Sequence, residues 1–519
     1  MVRLTSIEQI KQTAFEEEMT YEIEAVLSNI YTTNTGFTII KITDGKDLFS
    51  LTMHNDKLIK SRGIEEGMSV LISFKKSMYN DELQGNLLDI NRCESASCIE
   101  LEKLFSNKQE KKSQRNAPSS KELLIKTKNF EILQEDLFKA ATIIRNAVVT
   151  KRPIIISHHA DADGFSAGFL VEEALTKLIK HMHKDIRFMG DYLQRNPSKT
   201  PFYDIVDATK DINFFMVKKE RSKLSDPLLL ILDNGSTPQD LISIQKVKTF
   251  GFDVVVIDHH DPGVLDEVNE SLICKETLAH VNPHLKGLGH GISASMLSYQ
   301  LAAYIDNFNE PSAQLAAIGG VADKCEGEDI DFLIEKSGSS RDELANLALY
   351  VDFEIFQTKF NHAKSTLNEF MTGSKELQSK IISLYKPLLE KFEKETALTV
   401  NHYLEEQKLE KFTLFSLNGE TTKQRGTYYA LRNLAAIVNK KYSEIVPRVV
   451  FIHTNEILVI RADPADLPFD INVFIKQLQK DLPYAQINGG GHNVAGSIKY
   501  IPAAKEEVLM KLKQYISDL

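Results

Sequence analysis

The sequence lacks most of what marks a membrane, secreted or disulfide-built protein. Nowhere in its 519 residues is there a run of about 18 uninterrupted apolar positions, so no transmembrane helix is expected. Met1 to Thr13 lacks the apolar stretch of a signal peptide, and a cytoplasmic protein with no membrane partner is expected. Cysteine is scarce. Cys93, Cys98, Cys274 and Cys325 show no Cys-x-x-Cys spacing, which excludes a zinc knuckle and leaves reduced, structural thiols as the expectation. Positive charge is not in excess, since 62 Lys and Arg stand against 72 Asp and Glu for a formal net charge of −10. Indiscriminate binding to nucleic acid is thereby excluded, and contact with a polyanion has to come from local basic patches. No Gly-x-x-x-x-Gly-Lys-Ser/Thr loop is present, which argues against ATP hydrolysis, and no Ser-His-Asp or Cys-His arrangement competes as a catalytic group.

What is present is a set of apolar strands that end in ligand-type residues. Ile154-Ile155-Ile156 reads as a buried strand and Phe165 to Ile179 as a helix, with His158, His159, Asp161, Asp163 and Gly164 between them. These polar residues therefore stand at the carboxyl end of a strand, where open α/β sheets hold their ligands. Phe252 to Ile257 is another such strand, running into Asp258-His259-His260, and Leu228 to Leu232 ends in Asp233. A helix from Ser312 to Val321 ends beside Asp323, one more carboxylate able to return to the same place. Oxygen donors with imidazole suit Mn2+ or Mg2+ better than a thiolate-seeking metal.

Around this centre the pattern divides. Residues 20 to 92 alternate as five short strands with a helical patch after the third, the order of an OB-fold barrel. Tyr31, Phe37, Phe49, Phe74 and Tyr79, with Lys41, Lys57, Lys60, Lys75 and Lys76, are candidates for stacking and pairing with a single strand; core aromatics and solvated lysines are the alternative. Ser106 to Glu122 is polar and reads as a flexible linker. Strands at 154–157, 186–189, 228–232, 253–257 and 279–281 alternate with helices, which implies a parallel doubly wound sheet. Residues 337–410 read as charged helices. After 411 strands and helices mix again, closing on Asn488-Gly489-Gly490-Gly491-His492-Asn493-Val494-Ala495-Gly496.

The His-x-Asp-x-Asp-Gly string before a helix, the isolated Asp233, the Asp-His-His after a strand and the closing Gly-Gly-Gly-His together resemble the DHH phosphoesterase superfamily, and within it the archaeal RecJ-like single-strand exonucleases. The resemblance covers about residues 150–330 and 410–515; the barrel lies outside it. Residue pattern and resemblance together give an α/β protein arranged as an OB-fold-like barrel (1–105), a linker (106–122), a DHH catalytic domain (123–336), a helical connector (337–410) and a DHH-associated substrate-binding domain (411–519).

By resemblance the metal ligands are His159, Asp161, Asp163, Asp233, Asp258, His259 and Asp323, with Asp233, Asp258 and His259 catalytic and two Mn2+ or Mg2+ ions as the expected occupants. His259 is a ligand or a donor to the scissile phosphate, and His260 supports from behind. In many members the first His precedes the first Asp by four residues; here that place is Ser157, and His159 fits the archaeal form with His158 as the alternative. Gly489, Gly490, Gly491, His492 and Arg461 are the implied substrate-binding residues, a surface ion pair being the other reading of Arg461. Asn234 and Asn282 could orient a water or a phosphate, with turn residues the favoured reading. The implied activity is exonuclease action on single-stranded DNA or RNA in replication or repair. The alternatives are a phosphodiesterase for short oligonucleotides or cyclic dinucleotides, and a structural replisome subunit related to the eukaryotic replicative-helicase component, partnered by a GINS-type complex.

Overall fold

Alternating burial builds the first unit, Met1–Asn116. The computed structural model describes the chain apart from residues 1, 14, 17–18, 33–36, 55–56, 66, 80–81, 184–188, 201, 223, 308, 359–363 and 422–430. The unit contains β1 (Val2–Leu4), α1 (Ile7–Gln12), β2 (Thr20–Thr32), β3 (Thr38–Thr43), β4 (Leu48–Met53), α2 (Lys57–Ser61), β5 (Ser69–Tyr79), β6 (Glu82–Arg92) and α3 (Ala96–Asn116). Tyr21, Ile23, Ala25 and Leu27 of β2 are buried at every second position, as a strand with one face on a core requires. The strands pair in the order β2-β3-β4-β6-β5 and β5 returns to β2, so the expected five-stranded barrel is closed.

Closure decides which aromatics remain outside. Phe49 and Phe74 are buried and pack 5.5 Å apart in the core, whereas Phe37 and Tyr79 are exposed. Lys76 is buried too, donating to the Thr13 carbonyl at 2.7 Å with its ammonium over the Tyr21 ring. The side chains of Tyr31 and Lys60 lie outside the described residues.

Two expectations fail here. Of the flexible linker read at 106–122, residues 106–116 instead continue the helix α3. The segment is rich in Lys, Glu, Gln and Arg, all good helix formers, and has no Gly or Pro before Pro118, so nothing in it stops the helix. Cys93 and Cys98 are joined in a disulfide and are not reduced thiols; Cys274 and Cys325 are free. The turn from β6 into α3 brings their Cα atoms to 5.9 Å, within the reach of the bond.

The second unit, Ala117–Leu519, holds two sheets. Its first part runs α4 (Lys128–Val149), β7 (Ile154–His159), α5 (Ala162–Met182), α6 (Met189–Tyr192), β8 (Leu193–Ser198), α7 (Ile205–Ser222), β9 (Leu228–Leu232), α8 (Leu241–Thr249), β10 (Asp253–Ile257), β11 (Ala279–Val281), α9 (Ala294–Ile305), α10 (Ala313–Ala322) and α11 (Glu328–Ser337). The sheet order is β11-β10-β9-β7-β8 and every pairing is parallel. Leu228, Leu230 and Leu232 face one core while Leu229 and Ile231 face the other, which is why these strands are apolar without alternation. After β7 the chain adds β8 on one side and β9 on the other, a switch point that opens a crevice at the strand ends.

The strand expected at 186–189 falls largely outside the described residues, at 184–188, and Met189 opens α6. The edge strand is instead Leu193–Ser198, whose Gln, Arg, Asn, Pro and Ser hide it from an apolar pattern; Pro197 is tolerated because the strand is an edge. Helices α12 (Arg341–Gln357), α13 (Lys364–Thr372) and α14 (Lys375–Tyr403) follow. The second sheet, in the order β12-β13-β14-β15-β17-β16, comprises β12 (Glu405–Lys408), β13 (Thr413–Asn418), β14 (Arg448–His453), β15 (Ile457–Asp463), β16 (Asn488–His492) and β17 (Ala495–Lys499). Helices α15 (Leu431–Lys441), α16 (Ile471–Asp481) and α17 (Lys505–Asp518) accompany it. Among the described residues no helix is long and apolar enough to cross a membrane.

Leu230 is fully buried at the middle of the central strand, and its truncation leaves a cavity that neighbours close only in part. Leu230→Ala is expected to lower the stability of this unit by about 2–5 kcal/mol in denaturant unfolding, against roughly 0.5 kcal/mol or less for Val264→Ala at a site 78% exposed.

Candidate metal centre

Parallel register sets the site. Ile154 and Asp253 both pair with Leu228, so β7, β9 and β10 advance together and the residues beyond their ends converge. His159 ends β7. Asp161 caps α5, accepting from the Gly164 amide at 3.1 Å, and Asp163 lies buried in that helix's first turn. Asp233 follows β9 with φ 56°, a left-handed conformation that is strained for a residue with a side chain. Asp258-His259-His260 follows β10, and Asp323 follows α10.

The contacts bring all of these into one cluster. His159 Nδ1 lies 2.9 Å from Asp161 Oδ2 and 3.5 Å from Asp233 Oδ2, while His259 Nε2 lies 3.2 Å from Asp233 Oδ1 and 3.1 Å from Asp323 Oδ2. Potential ligand atoms gather as His159/Asp161/Asp233, as Asp233/Asp258/His259/His260 and as Asp163/His259/Asp323, each group within 4.8 Å. Asp233 belongs to two groups and His259 to two, so the groups form one continuous arrangement. Asp233 Oδ2 is buried without a well-formed hydrogen bond, and the donors are hard oxygens with imidazole nitrogen; both features fit divalent cations.

His158 is turned away from the carboxylates. Its Nδ1 bonds the His159 carbonyl at 2.7 Å, Arg195 Nη1 stands 3.3 Å from its Nε2, and Phe165 packs edge-on against the ring. Burial and the Arg195 charge push it down to about 3, a neutral core histidine. The structure thus places His159, and not His158, in the cluster.

Charge crowding governs the titration of the cluster. Burial, then the Asp233 and Asp323 charges, raise Asp163 to about 8, and burial with Asp161 raises Asp233. Burial opposes the charged form of His159, but Asp161 and Asp233 outweigh it and raise that imidazole to about 10; Asp233 and Asp323 act likewise on His259. Asp258 is lowered despite burial, because His260 and the Ser236 and His259 donors favour its anion. Its carboxylate accepts from Ser236 N at 3.0 Å, His259 N at 2.8 Å and His260 Nδ1 at 2.8 Å, which fixes the Asp-His-His turn.

Several supporting residues escaped the sequence reading. Asp163 accepts from Ser293 Oγ at 2.7 Å and from the amides of Ala294 and Ser295 at 2.8 and 3.0 Å, so the amino end of α9 holds it. A serine before a helix is a cap signal that sequence alone offers. Asn282, read as a turn residue, does accept the His284 amide, and its Nδ2 also binds Ser236 Oγ and the His260 carbonyl. Asp352 of α12 accepts from the Ala162 amide at 2.9 Å, a contact across 190 residues that no local pattern announces. Asn234 is buried, with no hydrogen bond to its side chain among the described residues.

The remaining candidates lie on the second sheet. Gly489–Gly491 form part of the edge strand β16, and a Cβ on Gly489 or Gly491 would collide with the β17 backbone. The Gly489 carbonyl accepts from Gln239 Nε2 at 2.5 Å and the Gly491 carbonyl from Asn472 Nδ2 at 3.0 Å. These two carbonyls point away from β17, and the amides of the same residues share that open edge. Arg461 pairs with Ala495, which pairs with His492, so Arg461 and His492 occupy one row of the sheet; the His492 side chain lies outside the described residues.

Residues 153–321 match the model of the DHH family, N-terminal domain. The chain is 29% identical to an uncharacterized protein of Methanocaldococcus jannaschii over all of its own length and 71% of that protein's. Its fold is similar to the DHH domain of a protein described as a member of a family of ribosomal proteins, with TM-score 0.73 and 28% identity over 81% of this chain and 99% of that one. It is also similar to RecJ of Thermus thermophilus solved in complex with Mn2+, with TM-score 0.51 and 16% identity over 74% of this chain and 55% of that one.

Cations compete with protons for these ligands. Asp163 and His159, both titrating above neutrality, must release protons when an ion binds, so apparent Mn2+ affinity is expected to rise as pH goes from about 6 to about 8.5, with proton release seen by calorimetry in buffers of different ionisation enthalpy. Gly319→Ala should weaken the same binding at least tenfold, since a Cβ there would collide with Asp163 Oδ1 and Ser295 Oγ.

Proposed function

We propose that this chain, whose residues 153–321 match the DHH family, is a phosphoesterase of that family and a divalent-metal-dependent exonuclease that degrades single-stranded DNA or RNA in replication or repair. The observation that carries this reading is the position of Asp233, buried between His159 and His259 and common to two ligand groups. In this reading His159, Asp161 and Asp233 hold one ion, and Asp163, Asp233, Asp258 and Asp323 approach the other, with Mn2+ or Mg2+ as occupants. Such ions supply positive charge to a phosphodiester and make a water nucleophilic at neutral pH.

The chain's own groups do the rest. Asp258 orients His260 and the turn carrying His259, and His259 acts as ligand or as donor to the scissile phosphate. The Gln239–Gly489 bond ties β16 to the loop that follows Asp233, which makes the open amides of Gly489 and Gly491, with His492 and Arg461, a holder for a phosphate near the cut. Exposed Phe37, in contact with His54 at 4.6 Å, and exposed Tyr79 give the barrel surfaces on which bases can stack. These surfaces favour long strands over the short oligonucleotides and cyclic dinucleotides of the second reading. An intact ligand set argues against a purely structural replisome role, while a GINS-type partner is compatible with a nuclease.

The test is digestion of single-stranded DNA and RNA labelled at the 5′ or 3′ end, with Mn2+ and with Mg2+. Wild type should shorten one or both from an end, and Asp161→Ala or Asp233→Ala should lose about a thousandfold or more in rate while keeping the wild-type fold. Near wild-type turnover by Asp233→Ala would overturn the reading. Removing residues 1–116 should weaken binding of long strands and leave cleavage of a trinucleotide nearly intact; equal loss on both would show that the barrel serves something other than strand binding.

A further inference from the structure

The loop leaving β11 carries two histidines that the metal centre leaves aside. The Asn282 side chain accepts the His284 amide at 2.9 Å and so anchors the loop's start. The chain turns at Gly287 and brings back His290, whose Nδ1 lies 3.2 Å from His284 Nε2, with the rings 4.5 Å apart and inclined at 65°. His290 is exposed and His284 half-buried, so the pair can be reached from solvent. Burial, with the neighbouring histidines, keeps both imidazoles below their ordinary range, and Asp261 is the nearby carboxylate acting on both.

We propose that His284 and His290 form an additional site for a divalent transition ion that prefers imidazole, such as Ni2+, Cu2+ or Zn2+, distinct from the oxygen-rich centre. Two nitrogens 3.2 Å apart, each about 2.1 Å from an ion, subtend roughly 100° at it, between octahedral and tetrahedral angles. Two imidazoles select these ions over Mg2+, whereas the carboxylate cluster suits Mn2+ or Mg2+. Water completes the coordination. The same nitrogens also suit a plain imidazole–imidazole hydrogen bond, and the experiment separates the two. This inference does not rest on the nuclease reading.

Equilibrium dialysis of the full chain against Ni2+, in excess Mg2+, measures ions bound per chain. Ni2+ also enters the carboxylate centre, so the difference between variants is what counts. Wild type should bind one Ni2+ more than the His284→Gln/His290→Gln double variant, with single variants weakened at least tenfold and Mg2+-supported behaviour unchanged. Equal counts overturn the proposal, as does an extra ion that persists in the double variant and is lost with Asp161→Asn. In unmodified protein, Ni2+ should slow carbethoxylation of His284 and His290, read by mass spectrometry; an unchanged rate overturns the proposal independently of how the variants fold.

Discussion

Asp163, Asp233 and Asp258 are almost wholly buried within one cluster, with Asp161 and Asp323 at its edge, and burial penalises the negative charges gathered there. Imidazoles offset part of the penalty: His159 and His259 are each held close to two carboxylates, and all three histidines of the cluster are raised despite burial. Divalent cations would offset it more completely and free those nitrogens to act as ligands. The rest of the structure is understandable as the apparatus that holds this unfavourable gathering together.

Three kinds of support are visible. The parallel register of β7, β9 and β10 delivers the residues to one place, and rigid apolar strands with a core on each face keep them there. Donors aimed at single carboxylates, such as Ser293, Ala294 and Ser295 at Asp163 and Ser236 at Asp258, fix their orientation. Backbone strain at Asp233 points its carboxylate between the two histidines, a conformation that persists only because the surroundings determine it.

The sheet and its ligands were legible because apolar runs such as Leu228–Leu232 end abruptly in Asp or His, a contrast that survives without any structure. The edge strand at Leu193–Ser198 was not, since an edge with one partner tolerates Pro197 and buries Arg195 through its pairing with Glu172. The disulfide and the long α3 were missed for a shared reason: spacing and polarity describe the chain locally, while the turn between β6 and α3 sets which groups meet. Asp352 and Asn282 act through contacts between distant elements, and only packing reveals them. His158 and His159 look alike in sequence; Arg195 and Phe165 decide between them.

Under the proposed function Asp233 is common to two cation positions. Electron paramagnetic resonance of the protein loaded with Mn2+ tests it most directly, because ions bridged by one carboxylate about 3.5–4 Å apart couple magnetically. The expected result is two Mn2+ per chain with an exchange-coupled spectrum that is lost in Asp233→Ala. A spectrum of isolated Mn2+ at full loading, or coupling that survives in Asp233→Ala, would contradict it.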